Sequence, residues 1–430
     1  MSLGKLTVNG RQDGFLCEGK PFFWFADTCW SAFTSITEAD WDYYLTRRAE
    51  QGMNVLQINT LPQWDRCCPD LGIWPYASED GVHFDWSRPN QAYWDRAAAM
   101  CRAAVEHGIR PALVLMWCNY VPGTWGAKIA ERCGAEVMPR EEVRAHVARV
   151  VESLGEFDPV YVVTGDTDFT SDEAIAYYEN ALDEVVKRAP EALRTMHINR
   201  GNRTIPSQYL DRLDFYMFQP GHNYEGQPEA WRLPQDLSPT IPKSRWSTPS
   251  LLRADGCIAQ RVLALHRAGL PRERVVVDPC RRSAGVTYGA HGVWNWQTSK
   301  SQGSVLGEGF DMPFRWQECL QFCGAFGTLA RSSTCLPAWA LRLAMTHLPW
   351  FRRRSCSDDA REAIRVARVG DRVVTYLPRT TALKFKLDGA RDWTATVLDM
   401  EGKRIAKLPS ATTVTAPYAW LSIPLSTTRW

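Results

Sequence analysis

Polar side chains recur in this chain where short apolar runs end. Asp27, Gln57 and Asn59, Asn119, Asp166, His197, Gln219 with His222, and His291 all stand at or just past such an end. Tryptophans accompany several of them, in Asp27-Thr-Cys-Trp30, Met116-Trp-Cys-Asn119 and Trp294-Asn-Trp296. An aromatic face covers the apolar C–H side of a pyranose or furanose, and polar neighbours take its hydroxyls. The combination therefore suits a sugar ring. His197, His222 and His291 could be imagined around zinc, but no HxH or HExxH spacing supports it, so neither metal nor cofactor is expected.

Such residues need a frame that brings strand ends together. Apolar runs alternate with amphipathic stretches of helical period, the signature of repeated strand–helix units. Strands are expected at 22–27, 53–59, 111–117, 160–166, 194–198 and 214–219, with an eighth inside 285–296. Helices are expected after Thr37, with Asp40 three residues on, over 91–107 up to Gly108, and over 141–154. A (β/α)8 barrel of the α/β class, over residues 20–350, places the functional side chains at the C-terminal ends of its strands. The first 19 residues read as a β segment packed on that body. From about residue 351 the pattern alternates at period two with turns between, as in a small antiparallel C-terminal domain.

Composition narrows the partners. The net charge of +2 gives no reason to expect nucleic acid or an anionic membrane, and no apolar run approaches the roughly 20 residues of a membrane helix. The thirteen cysteines lack CxxC spacing, and the N-terminus lacks the apolar core of a secretory signal. Reduced thiols in a cytosol are the expectation. Nothing in the sequence indicates an oligomeric state.

Four motifs, Phe25-Ala-Asp-Thr-Cys-Trp30, Asn54-Val-Leu-Gln-Ile-Asn59, Thr164-Gly-Asp-Thr-Asp-Phe169 and Thr287-Tyr-Gly-Ala-His-Gly-Val-Trp294, resemble the apiosidase-like glycoside hydrolases. The resemblance spans residues 20 to about 225 and 284 to about 425. It implies a (β/α)8 barrel with a C-terminal β-sandwich labelled collagen-binding. It further implies hydrolysis of a glycosidic bond, of a furanose such as apiose or arabinose, by two carboxylates. One protonates the leaving oxygen while the other attacks carbon or activates water. Asp166 matches the family's acidic position, with its role as acid or nucleophile open. Asp27, Trp30, Gln57, Asn59, Trp117, Asp168, His197, Gln219, His222, Tyr288, His291 and Trp294 would bind the substrate. Plainer readings stand beside these: a capping or loop carboxylate for Asp166 and Asp168, and a hydrogen-bonded structural histidine for His291.

The chain departs from the family where its second carboxylate should follow strand seven. Residues 247–283 contain no Phe, Tyr or Trp, seven Arg and no Lys. If Arg274–Asp278 were strand seven, Asp278 would be its carboxylate. Strand eight would then follow within about seven residues, too few for a parallel crossover. Translation out of frame accounts for both oddities, because neighbouring frames permit NTE followed by CYEQMG over residues 248–256. Two readings follow: a glycosidase using Asp166 and a strand-seven carboxylate, or a sugar-binding barrel that has lost catalysis.

Overall fold

The computed structural model describes residues 2–10, 14–67, 69–132, 134–200, 202, 204–219, 250–255, 283–289 and 292–301, and seven strands between 365 and 424. Strands β1 (Leu6–Val8), β2 (Phe15–Cys17) and β3 (Lys20–Phe22) form an antiparallel sheet in that order. Phe15 carries it onto the body, its ring 5.8 Å from Trp24 and edge-on to Phe215 at 5.1 Å.

The body is a curled parallel sheet. Its strands are β4 (Trp24–Thr28), β5 (Val55–Asn59), β8 (Arg110–Trp117), β9 (Val160–Gly165), β10 (Arg194–Thr195), β11 (Tyr216–Phe218), β12 (Ser250–Asp255) and β13 (Ser283–Gly289). A two-strand ribbon, β6 (Tyr76–Ala77) with β7 (Asp85–Pro89), lies outside it. The sheet order is β10-β9-β8-β5-β4-β13-β12-β11. Its edge segments meet, because His197 forms a parallel bridge with Met217 and Thr195 Oγ1 donates to Phe215 O at 2.8 Å. Strands covered on both faces need no polar alternation, and all eight residues of β8 are buried.

Helices α1 (Ala32–Ser35), α2 (Glu38–Glu50), α3 (Gln91–Glu106), α4 (Trp125–Arg132), α5 (Glu142–Leu154), α6 (Asp172–Arg188) and α7 (Ser207–Leu210) connect the first six strands. Thr37 Oγ1 accepts from Asp40 N at 3.2 Å and starts α2, whose Trp41, Tyr44, Leu45 and Arg48 face inward at helical spacing. Helix α3 stops at His107, and Gly108 follows at φ 78°, a conformation that glycine adopts without a Cβ clash. Ser171 caps α6 by accepting from Ala174 N at 3.1 Å.

The sequence left strand seven open. The place between β11 and β13 is taken by Ser250–Asp255, in parallel register with both, and Arg274–Asp278 lies outside the described residues. Residues 256–282 then separate it from β13, enough for the dozen or more residues a parallel crossover needs.

The C-terminal strands are β14 (Arg365–Val369), β15 (Arg372–Leu377), β16 (Thr381–Lys384), β17 (Ala395–Leu398), β18 (Arg404–Leu408), β19 (Thr413–Ala416) and β20 (Ala419–Pro424). They pair antiparallel as β14-β15-β20-β17-β18 and β16-β19. No helix among the described residues is long and apolar enough to cross a membrane.

Candidate active site

The C-terminal ends of β4, β8 and β13 deliver three indoles to one place. Trp30 lies 4.5 Å from Trp117 and 5.5 Å from Trp294, ring centre to ring centre. His197 completes the group, 5.6 Å from the Trp117 ring. Its Nε2 donates to Gln219 Oε1 at 2.7 Å, so two of the expected polar residues bind each other across the meeting edges of the sheet. One layer deeper, Gln57 Nε2 reaches Met217 Sδ at 3.1 Å. That contact with the far side shows that Gln57 faces the interior, and Asn59, two residues on, shares its face. Asn59 Nδ2 donates to Gln63 Oε1.

Asp166 follows β9 directly and adopts φ 57°. A left-handed conformation is uncommon outside glycine, though Asp tolerates it, and such residues gather at functional sites. The preceding Gly165 is pressed against Trp117: a Cβ there would meet the indole at 2.0 Å. Trp125 Nε1 donates to Asp166 O at 2.7 Å and holds the turn from the other side. Asp166 is half-buried and its neighbour Asp168 likewise, with Thr170 Oγ1 donating to Asp168 Oδ1 at 3.3 Å. Burial pushes the nearby Cys118 thiol well up, and the Asp166 charge adds to that rise. Cys118 therefore stays a neutral thiol.

The loop after β5 contributes residues that the sequence reading missed. Asp65 is buried and accepts from Trp294 Nε1 at 3.1 Å, while Cys67 N donates to Asn295 O at 3.1 Å. Trp64 meets Trp125 edge-on at 5.9 Å. The only local signal was the polar run Gln63-Trp-Asp-Arg66 just beyond a strand end.

Asp27 does not join the site. Its Oδ2 accepts from Tyr44 OH and from Arg48 Nε, each at 2.6 Å, and both partners sit on α2. Strand β4 thus turns Asp27 outward toward the helix layer, which period-two geometry allows for either face. Burial raises the Asp27 carboxyl, and the Arg48 charge opposes that rise. Tyr288, on β13, is buried with its ring 5.7 Å from the same guanidinium, so it too serves that outer network. Trp30, Gln57, Asn59, Trp117, His197, Gln219 and Trp294 are brought together, with Asp166 beside them. Asp278, His222 and His291 lie outside the described residues. Among the described residues no three His, Cys, Asp or Glu side chains gather as a metal site.

The sequence profile described as "Apiosidase-like, catalytic domain" matches residues 12–246. Among solved structures, a glycoside hydrolase family 5 protein from Bacteroides vulgatus ATCC 8482 superposes with a TM-score of 0.66 at 18% identity, covering 99% of this chain and 95% of that one. A second, described as a glycoside hydrolase, gives 0.63 at 18% identity, covering 99% and 98%. At such identities the likeness is one of fold. No curated protein sequence matches the chain.

Proposed function

The chain belongs to the apiosidase-like family of glycoside hydrolases, and from that membership we propose that it hydrolyses the glycosidic bond of a furanose such as apiose or arabinose. The observation that carries this reading is Asp166, a carboxylate held at φ 57° beside the Trp30–Trp117 wall. In a full (β/α)8 barrel this is the rim on which catalytic groups of other strands converge.

Two carboxylates share the chemistry. One gives its proton to the departing oxygen, and the other meets the developing positive charge at the anomeric carbon as nucleophile or through water. Asp166 is one of them, and the other comes from the end of strand seven. The indoles exclude water from the ring face while His197, Gln219, Gln57 and Asn59 hold its hydroxyls. Asp168 belongs to the same rim in this proposal.

The test is a panel of aryl furanosides and pyranosides with the wild type and Asp166→Asn. Turnover that falls about a thousandfold or more in the variant, with an unchanged unfolding midpoint, supports the reading. Turnover that survives Asp166→Asn refutes the role of Asp166. Saturable sugar binding with no turnover by the wild type would instead favour a barrel that binds sugar without cleaving it.

A further inference from the structure

Asn59 and Gln63 form a pair with half of its hydrogen-bonding capacity unused. Asn59 ends β5, and its main-chain N donates to Trp30 O at 3.3 Å, which fixes it beside the aromatic wall. Gln63 sits four residues on in the loop, and its O accepts from Arg66 Nη1 at 3.2 Å. Both side chains are sealed, at 1% and 0% exposure. The Asn59 amide N–H meets the Gln63 amide oxygen. Among the described residues, nothing partners Asn59 Oδ1, Gln63 Nε2 or, in the adjoining wall, Trp117 Nε1.

An unmade hydrogen bond on a buried amide is costly, and some nine in ten buried polar groups avoid it. Three such atoms at the neighbouring ends of β5 and β8 mark a place where something polar belongs. The chemistry offered is definite: one acceptor and one donor side by side. Turning both amides over exchanges which residue supplies which, yet still leaves one of each.

We propose that Asn59 and Gln63 clamp two adjacent hydroxyls of the sugar lying against the Trp30–Trp117 wall, and so set which sugar is accepted. The inference rests on the sugar-hydrolase reading above. One hydroxyl donates to Asn59 Oδ1, and the oxygen of its neighbour accepts from Gln63 Nε2. A site built to bond a hydroxyl rejects the analogue that lacks it, because the protein groups are then buried unpaired.

The experiment compares kcat/KM for the best aryl glycoside of the panel with its monodeoxy analogues, using wild type, Gln63→Met and Gln63→Glu. Gln63→Glu keeps the size and removes the donor, so it serves if the Met variant folds poorly. The wild type should disfavour one deoxy analogue by about a hundredfold. Gln63→Met should lose a similar factor on the parent sugar and almost nothing on that analogue. Equal losses on both, or no loss on either, would overturn the clamp. Should the wild type turn over no glycoside at all, the hydrolase reading fails, and titration of tryptophan fluorescence with L-arabinose and D-apiose decides the clamp by itself. A saturable response that Gln63→Met abolishes would support it, and no response would overturn it.

Discussion

Arg48 Nε stands 2.6 Å from Asp27 Oδ2, with both side chains shut off from solvent. The guanidinium lies over Tyr44 and Tyr288, at 5.6 and 5.7 Å from their ring centres. One ion pair thereby ties strand β4, helix α2 and strand β13 together on the outer side of the sheet. Losing one partner strands the other charge in a dry interior, at a cost of about 3–5 kcal/mol. Arg48→Met should therefore lower stability by about that much in urea unfolding. The Asp27→Asn, Arg48→Met double variant should cost less than the sum of the singles. A substrate-binding role for Asp27 would predict a changed KM with intact stability.

His146 is buried beneath the ribbon β6–β7. Its Nε2 donates to Leu115 O at 3.1 Å and its Nδ1 accepts from Tyr76 OH at 3.0 Å. Leu115 O can only accept, so the neutral ring with a proton on Nε2 fits this place. Burial lowers the folded pKa from 6.5 to about 4. The unfolded chain then binds the extra proton first, so stability is full above about pH 6.5 and falls as pH drops toward 4. The loss should approach roughly 3 kcal/mol. Urea midpoints between pH 7 and 4.5 measure it, and His146→Gln should flatten the slope by one proton.

Gly165 leaves no room for a side chain. A Cβ would fall 2.0 and 2.6 Å from atoms of the Trp117 indole, which is itself packed on Trp30. Gly165→Ala should push that ring from its place, at about 1–3 kcal/mol of stability. Sugar affinity should fall about tenfold or more, because the wall moves with the ring. Near-ultraviolet circular dichroism and KM would register the two effects separately.

Residues 247–283, with no aromatic side chain, are the stretch proposed to be out of frame. A peptide map by mass spectrometry over residues 235–290 should return fragments carrying NTE and CYEQMG, restoring glutamates within the stretch 248–256. Fragments matching the printed residues would remove the frame proposal, and the second carboxylate would have to be sought among the residues of this sequence.

Much of the frame was legible in the sequence because it depends on near neighbours. The uninterrupted apolar run of β8, the Thr37–Asp40 cap and the stop at Gly108 are local events, and each sits where the pattern predicts. Strand ends were legible for the same reason, and with them the meeting of Trp30, Trp117 and Trp294, since parallel strands bring their C-terminal ends to one rim.

The faces of those strands were not legible. Asp27 and Gln57 look alike as polar residues near strand ends, yet one binds helix α2 and the other crosses the interior to Met217. Period two says only that neighbours alternate, while the curl of the sheet and the helix packed outside it decide which set points inward. Strand seven was left open because its place is defined by pairing with β11 and β13, distant from it in the chain. The Asn59–Gln63 pair and the Trp294–Asp65 bond likewise exist only once the loop after β5 folds over the rim. By itself the sequence determined the alternation of strands and helices and the residue types at their ends. The tertiary structure decided which of those side chains share an interior, since burial and pairing depend on residues hundreds of positions apart.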